Sequence, residues 1–188
     1  MTRLMNASAM TLVALSMAVP AAAQKTTDVH PGRAGSPHVK TEWTIDGANI
    51  SIEYGRPFLK GRSEAELMPI GKPWRTGADE ATLITTDKPL KLGALTLKPG
   101  TYTINTEPGE KGWQLLIGTP APPTERRPKQ WGIPYQSALE IGRVPMSLGK
   151  PAAPVEQLTF FIDDTPAGAT LRVEWGTQSA TVPFTVSS

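Results

Sequence analysis

From Thr41 onward the chain is written as short runs of β-branched and aromatic residues, each closed by turn residues, and no helical segment between them is long enough to carry a crossover. Parallel strands need such crossovers, whereas antiparallel neighbours need only tight turns. Trp43 and Ile45 alternate with polar residues, Asp46-Gly47 supplies the two positive-φ positions of a tight hairpin, and Ile50, Ile52 and Tyr54 resume the alternation. Further strands are expected at Ala81 to Thr85, Leu90 to Leu92, Leu95 to Leu97, Thr101 to Glu107, Trp113 to Ile117, Ala138 to Val144, Val155 to Ile162, Leu171 to Trp175 and Thr181 to Val186. The 17 Gly and 19 Pro fit this turn-rich pattern and argue against bundles and coiled coils. The expectation is an all-β antiparallel β-sandwich, Ig-like or jelly-roll-like, with one long ordered basic loop and at most a short helix. That helix is placed at Ser63 to Met68, where Ser63 and Glu66 form a capping box and Pro69 stops it.

The N-terminal part divides in two. Arg3 precedes an apolar stretch from Ala7 to Val19, followed by Pro20 and the small residues Ala21, Ala22 and Ala23, which is the layout of a secretory signal peptide cleaved near Ala23. The stretch is short for a membrane span, which takes about 20 apolar residues. The mature chain is therefore expected to be periplasmic or secreted, with no transmembrane segment. Residues 24–38 are polar and rich in Gly and Pro and are expected to be a flexible leader, leaving 39–188 as a single β-sandwich domain.

Composition excludes several chemistries. A formal net charge of +2 gives no reason to expect nucleic acid as a partner. With no cysteine there are no disulfides, thiolate nucleophiles or thiolate metal sites. The only two histidines, His30 and His38, fall in or beside the leader, so no catalytic triad, metal site or cofactor is expected from them. An all-oxygen calcium site at Asp163-Asp164 is outweighed by a simple turn there.

The run Tyr54-Gly55-Arg56-Pro57, then Lys60-Gly61-Arg62, then Met68-Pro69-Ile70-Gly71-Lys72-Pro73-Trp74-Arg75-Thr76-Gly77-Ala78 resembles the signature of an exported bacterial family, domain of unknown function 2911. The likeness continues through Leu97-Lys98-Pro99-Gly100-Thr101-Tyr102, the Trp113 strand, Val155-Glu156 and the closing Leu171 to Val186 hairpin, covering Ser36 to Val186. Two positions depart from it: Ile70 stands where an aromatic residue is expected, and Asp79 where Asn is expected. The resemblance implies an envelope-associated β domain of no established activity.

Between Tyr54 and Arg75 five basic side chains face only Glu64 and Glu66, the one concentrated cationic region. Arg56, Arg62 and Arg75, with Lys60, would suit a carboxylate, sulfate or phosphate, and Tyr54 with Trp74 would supply a flat wall for a sugar ring. The bland alternative is that the cations pair with Glu53, Glu64, Glu66 or loop carbonyls and that Trp74 plugs the core. Gly55, Gly61, Gly71 and Gly77 meet backbone requirements rather than cradle a phosphate. A carboxylate-dependent hydrolase would need Glu53 opposite Asp79 or Glu80 across a cleft. Glu42, Glu140, Glu156 and Glu174 are read as solvated strand faces, Trp43, Trp113 and Trp175 as core, and Trp131, in a Pro-rich loop from Gly118 to Ser137, as a lid or a partner contact. The leading expectation is a non-catalytic binding module for an anionic or saccharide envelope ligand. A structural or protein-interaction module meeting an envelope protein comes second, and the hydrolase third.

Overall fold

In the computed structural model, residues 24–33, 35–122 and 135–187 are described. The signal-peptide segment, Ala34 and Trp131 lie outside the described residues.

The fold is all-β. In chain order the strands among the described residues are β1 (Lys25–His30), β2 (His38–Ile45), β3 (Ala48–Gly55), β4 (Ala78–Thr86), β5 (Leu90–Leu92), β6 (Leu95–Leu97), β7 (Gly100–Glu107), β8 (Trp113–Gly118), β9 (Glu140–Gly149), β10 (Val155–Thr165), β11 (Gly168–Gly176) and β12 (Gln178–Val186), with a short helix α1 (Glu64–Leu67) between β3 and β4 and a 3-10 turn (Ser137–Leu139) before β9. All paired neighbours are antiparallel, and ten strands follow one another in the order β1-β2-β3-β4-β7-β8-β9-β12-β11-β10, with β5 joined to β12 and β6 to β5. The two separate sheets of a sandwich are not confirmed, because β9 bridges the halves. Its first part, Glu140 to Met146, pairs with β8, and its last three residues, Ser147 to Gly149, pair with β12. One curled antiparallel sheet, a half-barrel, results.

Its concave face holds the core. Trp43, Ile45, Ile50, Ile52 and Tyr54 from β2–β3 meet Leu158, Phe160, Leu171, Val173, Trp175 and Val182 from β10–β12, all at most 3% exposed. Each such side chain removed from water contributes roughly 1.5–3 kcal/mol. The hairpin between β2 and β3 turns on Asp46 (φ 47°) and Gly47 (φ 72°), as its sequence demands.

The expectation of a flexible leader is overturned for its first part: Lys25–His30 is a strand. It pairs with β2, placing Lys25 opposite Glu42 and Thr26 opposite Thr41, whose hydroxyls lie 3.1 Å apart. Cross-strand pairs and backbone hydrogen bonds hold it, with almost nothing buried. Glu174 also departs from expectation. It is 8% exposed and is matched by Arg172 and by the Ser179 hydroxyl.

Helix α1 begins with the expected capping box, the Ser63 amide donating to the Glu66 carboxylate at 2.9 Å. Glu64 docks the helix on the turn after β11 by accepting from the Thr177 amide (2.6 Å) and hydroxyl (2.9 Å). The Thr177 amide, the strongest influence, holds the Glu64 carboxyl below the ordinary glutamate value. A carboxyl depressed in the folded state stabilises it above the unfolded-state value and loses that contribution as pH falls through the folded-state value. The melting-temperature gap between the native protein and Glu64→Ala should therefore be full at pH 7 and shrink as pH falls below about 4. A gap independent of pH would contradict this docking role.

Candidate functional site

The segment after β3 runs along the free edge of β10 as a strap. The Leu158 amide donates to the Pro57 carbonyl and the Leu59 amide to the Glu156 carbonyl, both at 3.0 Å, with a bridge between Phe58 and Gln157. Side chains complete the stitching. Arg56 donates through Nε to the Leu158 carbonyl (3.1 Å) and through Nη2 to the Thr159 hydroxyl (2.7 Å). The Phe160 amide donates to the Tyr54 phenol oxygen at 3.2 Å. The Lys60 amide donates to the Glu156 carboxylate at 2.8 Å. A sheet edge exposes unpaired amides and carbonyls, and a basic loop with a phenol beside it satisfies them here.

The three guanidinium groups therefore do not converge. Arg56 is spent on β10. Arg62, exposed, donates to the carbonyls of Leu59 (2.9 Å) and Phe58 (2.8 Å) in its own loop. Arg75, half-buried, donates to the Asp79 carbonyl at 2.7 Å and borders a different hollow with Thr103, Asn105 and Tyr135. Tyr54 is 1% exposed and stands edge-on to Phe160, with centroids 4.9 Å apart, so it belongs to the core rather than to an open wall. Burial, the largest influence, raises its phenol above the ordinary value.

What does assemble at this loop is a hollow of about 380 Å³ lined by Phe58, Lys60, Arg62, Leu67, Trp74 and Trp175, among others. The Trp74 and Trp175 indoles are stacked, with centroids 5.5 Å apart and planes 8° apart. Trp175 is buried as expected, and its Nε1 donates to the Glu156 carbonyl at 3.2 Å. Trp74 is fixed by reciprocal backbone bonds with Thr106 at 2.7 and 2.8 Å. Beside it Thr76 is fully buried at φ 53°, a costly conformation for a β-branched residue. Its hydroxyl contact with Thr106 at 3.0 Å and the Thr82 hydroxyl donating to its carbonyl at 3.1 Å hold it there. The aromatic wall is thus rigid, with two cations on its rim.

The histidines are placed quite differently from expectation. His30 ends β1 and His38 opens β2; His38 is 2% exposed. Glu53 and Glu80 flank opposite nitrogens of the His38 ring, each at 3.3 Å, so the imidazole fills the space that a hydrolase cleft between those carboxylates would require. The hydrogen bond from His38 holds the Glu53 carboxyl below its ordinary value. Asp79, at φ 64°, accepts from the Arg33 amide at 2.7 Å, a task that the carbonyl oxygen of an Asn would also perform. Asp163 and Asp164, expected in a turn, instead lie within β10 opposite Thr170 and Ala169, and both Asp163 oxygens are taken by Arg172, at 2.7 and 3.0 Å, which leaves them closed to calcium. Ile70, the other departure, is 60% exposed.

No helix among the described residues is long and apolar enough to cross a membrane. Residues 36–184 match the model of a family described as protein of unknown function, DUF2911. No curated protein matches the chain, and no solved structure does.

Proposed function

Because the chain belongs to the DUF2911 family, described only as of unknown function, its role has to be read from its own surface, and we propose a non-catalytic binding module of the bacterial envelope. It holds an anionic or saccharide ligand in the hollow between Trp74, Trp175, Phe58 and Arg62. The stacked, backbone-anchored tryptophan pair with Lys60 and Arg62 at its rim carries this reading. Concave sites that join an apolar face to a few polar donors are suited to small ligands, and sugar rings present both kinds of surface. The Arg62 bonds to loop carbonyls use Nε and Nη2, and Nη1 is not engaged by them. The apolar segment that precedes Gln24 supports export to the periplasm or beyond.

The test is a calorimetric screen of envelope oligosaccharides, sulfate and phosphate against the protein and Arg62→Ala. We expect a ligand whose affinity falls about tenfold, ~1.4 kcal/mol, in the variant. Melting should barely change, since an exposed side chain bonded only to its own loop contributes little. An empty screen, or binding indifferent to Arg62, rejects the proposal. A second reading, a structural or protein-interaction module, draws on the main-chain oxygens that already engage Arg56, Arg62 and Arg75.

A further inference from the structure

The chain has only two histidines, and the fold brings both to one point. His30 and His38 sit opposite each other across β1 and β2, their rings stacked with centroids 4.7 Å and planes 5° apart. Glu80 reaches in from β4, with Oε1 3.0 Å from His30 Nε2 and Oε2 3.3 Å from His38 Nδ1. Two breaks in register put them there, one between Asp28 and His30 in the β1–β2 ladder and one between Glu53 and Gly55 in the β3–β4 ladder. Bulges of this kind re-aim side chains.

The hydrogen-bond accounting at this point does not close with protein atoms. A carboxylate only accepts, so His38 Nε2 donates to Glu53, and Nδ1 is the ring nitrogen turned toward Glu80. That Nδ1 and Glu80 Oε2 are both buried, face each other, and have no hydrogen-bond partner. A ring nitrogen and a carboxylate oxygen left without a hydrogen bond away from water are costly.

We propose that His30 Nε2, His38 Nδ1 and the Glu80 carboxylate bind one divalent first-row transition-metal ion of the Zn2+, Co2+ or Ni2+ type. Donors about 2.0–2.1 Å from a tetrahedral centre lie about 3.3 Å from one another, close to the spacings that Glu80 makes with the two rings. Imidazole with carboxylate suits these ions better than Ca2+ or Mg2+, which prefer oxygen alone. Glu53 takes the place of the outer carboxylate that orients a ligating histidine. The ion's charge offsets the two carboxylates. His30, with 28% of its side chain exposed, provides the way in, and three protein donors leave the fourth position to water. Loading has two local costs, the first being that the stacked rings, 5° from parallel, turn so that both in-plane lone pairs reach one ion. The Gly32 amide donates to His30 Nδ1 at 3.1 Å, so ligation through Nε2 moves the ring proton to Nδ1 and that amide bond is surrendered.

The test uses tag-free protein stripped with a chelator, titrated with Zn2+ by calorimetry and with Co2+ by visible absorption. We expect one equivalent of Zn2+, four-coordinate Co2+ bands, and affinity lowered about tenfold or more in both His30→Ala and Glu80→Gln. Circular dichroism establishes that each variant is folded. Should Glu80→Gln not fold, the partly exposed His30→Ala decides alone. Absence of stoichiometric binding, or binding unchanged in the folded variants, overturns the assignment. The readout is independent of the tryptophan-lined hollow.

Discussion

Alanine at Gly55 should destabilise the protein by about 3 kcal/mol and lower its melting temperature by roughly 6–12 °C. Gly55 pairs with Ala78, and a Cβ at Gly55 would lie 2.2 Å from the Ala78 carbonyl oxygen and 2.9 Å from its carbon. Both are backbone atoms, so no side chain can rotate away. β3 and β4 would have to separate where the strap departs and where the β4 bulge begins. Gly77 serves the same approach from the other side, since a Cβ there would meet the Thr82 hydroxyl at 2.6 Å and the Gly55 carbonyl at 3.2 Å. Thermal and urea denaturation of Gly55→Ala measure the effect. A melting point within a degree or two of the native protein would show that the strands are not held so closely.

Removing the Tyr54 ring should cost about as much or more. Tyr54→Ala leaves a cavity among Phe160 and its neighbours, worth about 3–5 kcal/mol. Tyr54→Phe keeps the edge-on contact with Phe160 and withdraws the hydroxyl that accepts from the Phe160 amide and meets the Thr41 side chain, for about 1–2 kcal/mol. The pair separates two roles by equilibrium unfolding alone. A ring serving as an exposed wall for a guest would make Tyr54→Ala nearly silent for stability, whereas a core ring makes the stability loss large and graded.

Wherever burial drives the chain, its elements could be read from residues alone. The alternation Trp113/Leu115/Ile117 marks β8, and the short apolar runs at Leu90–Leu92 and Leu95–Leu97 mark β5 and β6 with their observed bounds. The capping box at Ser63 and Glu66 is equally explicit. β1 was invisible for the converse reason: KTTDVH makes backbone bonds to β2 and buries almost no side chain, leaving no hydrophobic pattern to detect. The histidine cluster inherits that blindness, since it exists only once β1 is in place and two ladders have slipped in register. For the arginines, composition announced a concentration of charge but not its partners. Those are mainly main-chain carbonyls, which every residue possesses and no sequence pattern advertises.

The strap has a consequence for how the molecule breathes. β10 is guarded on one flank by the β11 ladder, unbroken from Thr159 to Thr165, but on the other by a loop, a phenol and a guanidinium. Hydrogen exchange through local opening follows the weaker guard, so the Leu158 amide is released when Pro57 in the loop swings away, while the Phe160 amide on the core phenol of Tyr54 and the β11–β12 ladder stay protected. The curl can thus gape along that seam without any strand leaving its neighbour.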